Sequence, residues 1–112
     1  MTTQIKQFQD SYHLFIRIEA KQEHQDEVLS LLYDTISPTH KEEGCLEYKL
    51  FNQDKLIVVK GAWKTKMSLD LHLLLQFHLA LFENTLPKLC ENIDIQTLHE
   101  IEPPITSLSL ST

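Results

Sequence analysis

Glycine is scarce in this chain: its 112 residues include two, Gly44 and Gly61. Neither a Gly-rich phosphate loop nor a nucleophile elbow can be found. Cysteine is equally sparse. Cys45 and Cys90 lie far apart and form no C-x-x-C pattern, so they read as reduced, half-buried thiols. Basic charge is in deficit, with ten Lys and Arg against sixteen Asp and Glu and a formal net charge of -6. A nucleic-acid binder needs a basic footprint, so no nucleic-acid partner is expected. No spacing suggests metal ligands, and no metal or other cofactor is expected. The opening MTTQIKQFQDSY has no basic region followed by an apolar run, which is not the pattern of a secretory signal. The leucine-rich stretch 63–86 is interrupted by Asp70, His72, His78 and Glu83. It therefore does not read as a membrane span. A cytoplasmic protein without a membrane partner is the expectation.

Apolar residues make up 42% of the chain and charged residues 23%, a composition suited to one globular domain. Residues 1–11 are polar and read as a flexible N-terminus. The segment YHLFIRIEA (12–20) alternates, with Leu14, Ile16 and Ile18 on one face and His13, Phe15, Arg17 and Glu19 on the other. Period two predicts a strand. Next, Val28, Leu31, Leu32, Thr35 and Ile36 repeat at helical spacing. Ser37-Pro38 predicts a bend or restart, because proline is tolerated at a helix start and not inside. Gly44 should end the helix. CLEYKLF (45–51) places Leu46, Tyr48 and Leu50 on one face and Glu47, Lys49 and Phe51 on the other. A short turn and the nearly continuous apolar run KLIVVKGAW (55–63) follow, predicting an antiparallel hairpin. Gly61 within that strand predicts a bulge or a close approach.

Thr65 or Ser68 can cap a long helical stretch that nears its end at Pro87. Leu71, Leu74, Leu75, His78, Phe82 and Leu86 form one stripe, expected to cover the sheet. Leu69, His72, Leu73, Gln76 and Leu79 form another, left for a partner or a cavity. NIDIQTLHEI (92–101) predicts a fourth strand, and 102–112 reads as a tail. The order β-α-β-β-α-β predicts an α+β, ferredoxin-like domain over 12–101. It has a four-stranded antiparallel sheet with two helices on one face. The other face carries Phe15, Phe51 and apolar positions of the third strand. Such a patch predicts a homodimer through sheet faces.

Two stretches, EEGCLEYKLF (42–51) and VVKGAWKTKMSLDLHLLLQF (58–77), resemble the antibiotic biosynthesis monooxygenase (ABM) domain family of dimeric α+β barrels. The matching positions are Glu42, Gly44, Cys45 and Tyr48, then Trp63, then His72 nine residues on. The resemblance implies a cofactor-independent monooxygenase that oxidises a small quinol-like or polycyclic aromatic substrate with O2. Such a protein supplies a dry cavity, polar groups that position the phenolate, and a base. The chain also departs from the family pattern. Gly61 stands where many relatives carry a glutamate, and LLLQF replaces the loop that follows the histidine. The haem-degrading branch needs an Asn on the first strand and a Trp and His on the second helix, where Ile16 or Arg17, His72 and about Phe82 stand, and the branch that processes phosphorylated sugars keeps the glutamate lost at Gly61, so both fit less well.

His72 is the candidate catalytic residue, as base or as an orienting group, against the reading of a helix-end histidine bonded to backbone. Trp63 can stack on a flat substrate or simply pack. Tyr48 can donate into the barrel or fill a strand position. His78 reads first as a core histidine and second as a substrate contact. His13 and Arg17, beside Phe15 on the outer face, can bind an anionic oxygen or serve the dimer interface. Because His72 and His78 are six residues apart, they should not share a helix face. A non-catalytic dimeric binding or regulatory module of the same fold is the alternative to an oxidoreductase. An isomerase acting on a small metabolite is a further one.

Overall fold

The computed structural model describes residues 11–101. The expectations for residues 1–10 and for the tail 102–112 lie outside them. Strand β1 (Ser11–Ala20) is followed by a single 3-10 turn (Gln22–His24) and helices α1 (Gln25–Tyr33) and α2 (Ile36–His40). Strands β2 (Cys45–Gln53) and β3 (Leu56–Trp63) form the hairpin. Helix α3 (Lys66–Leu73), helix α4 (Gln76–Leu79), a π-helical turn (Ala80–Thr85) and helix α5 (Leu86–Leu89) lead into β4 (Cys90–Glu100). The four strands are antiparallel in the order β2-β3-β1-β4, the ferredoxin-like arrangement expected from the sequence.

The period-two pattern of β1 is realised in full: Leu14, Ile16 and Ile18 are completely buried beneath the helices, and Arg17 is exposed. They pack with Val28 and Leu32 of α1, Val59 and Trp63 of β3, and Leu86 of α5. The restart near Pro38 occurs two residues earlier than Ser37-Pro38 implies. Helix α2 begins at Ile36, which places Pro38 third in the helix, where its missing N–H costs no hydrogen bond. Helix α2 ends before the expected stop, at His40 with Lys41 as its C-cap, and Gly44, at φ 85°, lies in the turn that leads into β2. A two-residue connection joins β2 to β3, with Asp54 at φ 54°, a conformation Asp tolerates better than most residues.

Two expectations are corrected. Leu46 does not face inward with Tyr48. The register slips between Cys45 and Glu47, so Leu46 is the extra residue of a β-bulge and lies exposed. The long helix is also interrupted. Leu75 is extended, at φ -64° and ψ 142°, between α3 and α4. In α3 the inward residues are Leu69 and His72, whereas Leu71 is 58% and Leu74 66% exposed. The stripe assignment is therefore reversed in α3, where the Leu69–His72 face packs on the protein's own sheet. After the break, His78, Phe82 and Leu86 are buried as expected. The interruption resets the helical phase between the two segments.

Candidate active site

Helix α3 is anchored at its start by Thr65, whose hydroxyl accepts a hydrogen bond from the Ser68 N–H at 3.0 Å. Its inward face then delivers His72 to a point above the ends of β2 and β3. There the imidazole is almost fully buried, with its ring centroid 4.7 Å from Trp63 and 5.8 Å from Tyr48. The Leu74–Leu75 break folds the following segment back, so Phe77 and His78 lie 6.1 and 5.0 Å from the same ring. His78 in turn stacks on Phe82 at 4.6 Å. The six-residue separation that argues against a shared helix face is overcome by the break.

Glu42, on the turn between α2 and β2, completes the group. The His72 Nδ1 lies 2.8 Å from Glu42 Oε2 and 3.0 Å from Oε1. The indole Nε1 of Trp63 donates to Glu42 Oε1 at 3.2 Å. A carboxylate can only accept, so Nδ1 carries the hydrogen and Nε2 presents its lone pair. That Nε2 is buried and has no hydrogen-bond partner among the described residues. Such an atom is costly to leave unpaired, and it marks a position where a donor can be received.

A cleft of about 420 Å³ adjoins the pair, lined by Glu42, Glu43, Ser68, Leu71, His72 and Leu75 among others. This lies within the usual size range of small-molecule sites. Burial, and to a smaller degree the neighbouring His72, lowers the His78 pKa to about 4, so His78 is neutral near pH 7. Tyr48 is buried as well, and burial raises the pKa of its hydroxyl. That hydroxyl donates to Thr35 Oγ1 at 3.2 Å, while Thr35 donates onward to the Leu32 carbonyl at 2.6 Å.

The glycine at position 61 is explained by its neighbours. A Cβ there would lie 2.7 Å from two ring carbons of Trp63 and 3.0 Å from Tyr48. The close approach expected at Gly61 is thus made by the chain's own indole, and pairing runs unbroken through Leu14↔Gly61 and Tyr48↔Gly61. The structure therefore brings together His72, Trp63, Tyr48 and His78. It places His13 and Arg17 on the opposite face of the sheet. There the His13 Nε2 meets Glu100 Oε1 at 3.0 Å and Ser11 Oγ at 2.9 Å. Sequence reasoning used Glu42 only as part of a motif and missed its contact with His72. Phe77 was likewise unremarked.

The family model described as antibiotic biosynthesis monooxygenase matches residues 11–83. The chain belongs to the antibiotic biosynthesis monooxygenase family. Solved structures extend the likeness in fold. A Shewanella oneidensis protein is 18% identical with a TM-score of 0.79, over 85% of this chain and 95% of that one. A Pseudomonas aeruginosa protein is 23% identical with a TM-score of 0.74, over 84% and 97%. A structure described as an antibiotic biosynthesis monooxygenase is 22% identical with a TM-score of 0.70, over 83% and 99%. No curated protein matches the chain. Within the family's shared scaffold, this ABM protein has no acid at position 61. Its Glu42 meets both the histidine and the Trp63 indole.

Proposed function

We propose that this protein is a cofactor-independent monooxygenase that oxidises a small quinol-like or polycyclic phenol with O2. The observation that carries the reading is the Glu42-anchored His72, whose Nε2 is buried near aromatic rings with no partner among the described residues. A phenolic O–H placed at Nε2 gives up its proton to the imidazole, and the Glu42 carboxylate stabilises the imidazolium. The resulting phenolate is electron-rich and transfers electrons from its ring carbon to O2. One oxygen atom becomes a carbonyl on that carbon, the ring C–H is lost, and the other oxygen leaves as water. The substrate supplies all the electrons. The low-polarity surroundings strengthen the charge interactions that drive the first proton transfer.

The outer sheet face supports a homodimer. Phe51 is 48% and Leu98 50% exposed there, beside half-buried Phe15 and Val58. An apolar face of this kind is suited to sheet-on-sheet packing. His13 and Arg17 belong to that face and serve the interface in this proposal.

The test is oxygen uptake with a panel of reduced naphthoquinols and polycyclic phenols. Uptake above the buffer rate is expected, and His72→Ala should lower it by about 100-fold or more. Binding without uptake would assign the chain to the non-catalytic binding module instead.

A further inference from the structure

The cleft beside His72 is lined by polar groups, Glu42, Glu43, Thr65, Ser68 and His72, and by the apolar side chains of Met67, Leu71 and Leu75. Met67 is 71% exposed, and Leu71 and Leu74 stand in water beside it. A row of apolar side chains thus leads from solvent to the buried imidazole. The permanently charged groups that line the cleft are Glu42 and Glu43. The nearby Asp70 is paired with Lys66 at 2.8 Å. Among the described residues neither lysine nor arginine lines the cleft to receive an anion, and two carboxylates repel one.

On the reading that His72 receives a phenolic proton, we infer that the substrate is an uncharged phenol or quinol bearing an apolar arm. Its hydroxyl is directed to His72, and its arm lies along Met67, Leu71 and Leu75. The continuity of the apolar wall with the His72 site selects the arm. The two glutamates exclude carboxylated, sulfonated and phosphorylated aromatics. Each methylene fully buried in such a wall raises affinity about fourfold. A six-carbon arm on a half-open wall should therefore tighten binding by about tenfold or more.

The experiment titrates the full chain with 1-naphthol, 4-hexyl-1-naphthol and 4-hydroxynaphthalene-1-sulfonate. Binding is read by quenching of Trp63, the single tryptophan, and oxygen uptake is recorded on the same samples. The hexyl compound should bind about tenfold tighter than 1-naphthol, and the sulfonate more weakly than either. Leu71→Asp should remove the gain from the arm, so that within the variant the hexyl compound and 1-naphthol bind about equally. Equal affinities for the three ligands, a preference for the sulfonate, or an arm effect that survives Leu71→Asp would overturn the inference. So would a Leu71→Asp variant that loses dimer mass, which would assign the row to a second copy of the chain. Arm-dependent binding without oxygen uptake would defeat the monooxygenase reading and leave the specificity standing. Uptake without arm dependence would do the reverse.

Discussion

Glu42 holds two hydrogens at once, one from the Trp63 indole and one from His72 Nδ1. Its second role sets the chemistry, because it decides which imidazole nitrogen is left basic. Glu42→Gln keeps the size and one acceptor oxygen but turns an N–H toward Nδ1. The imidazole then has reason to carry its hydrogen on Nε2, where it can no longer take a proton. If the monooxygenase reading holds, kcat should fall by about 100-fold or more, with KM changed far less. Nitrogen NMR of His72 should show the hydrogen moving from Nδ1 to Nε2, a change that a purely structural role for Glu42 would not produce. An unchanged tautomer with lost activity would remove Glu42 from the positioning role.

Gly61 and the Leu74–Leu75 break show what was legible at the level of elements and what was not. The strands were legible because alternation over Leu14, Ile16 and Ile18 has one solution against a buried face. The capping of α3 by Thr65 and the turn at Gly44 were legible from residue type, although α2 itself stops earlier, at His40. The break was not: leucine is a strong helix former, and neither proline nor glycine stands there. It is imposed by packing, since one unbroken helix cannot turn Leu69–His72 and His78–Phe82 toward the same sheet. Leu46 was misplaced for a similar reason, because a bulge has no residue signature here. The contact between Glu42 and His72 was not legible, because it spans thirty residues. Gly61→Glu should not restore a family feature. Its Cβ would collide with the Trp63 ring, and its carboxylate would be buried against Trp63 and Tyr48. Destabilisation by at least about 2 kcal/mol is expected. A urea midpoint should show it, accompanied by a red-shifted Trp63 emission; an unshifted midpoint would mean that the indole yields easily.

At the scale of the whole molecule, the sheet separates two polar settings. On the outer face, Glu47 is held below its ordinary pKa chiefly by its hydrogen bond from Lys60, and Glu100 by hydrogen bonds from Ser11 and His13. Their contributions are lost as pH falls below the ordinary carboxylate value. Under the helices the controlling group is His78. Folded, it takes a proton only near pH 4, against 6.5 for the ordinary side chain. Between those values the unfolded chain binds more protons than the folded one, so stability rises with pH across the window. The His78 contribution is fully present above about pH 6.5 and fades as pH falls toward about 4. From about pH 7 to about pH 5 the expected loss is roughly 2 kcal/mol. Denaturation at fixed protein concentration would measure it, with concentration held because a dimer would couple the two. His78→Phe keeps a ring against Phe82 and has nothing to titrate, so its stability should be flatter over that interval. A wild-type slope matched by the variant would remove His78 as its source.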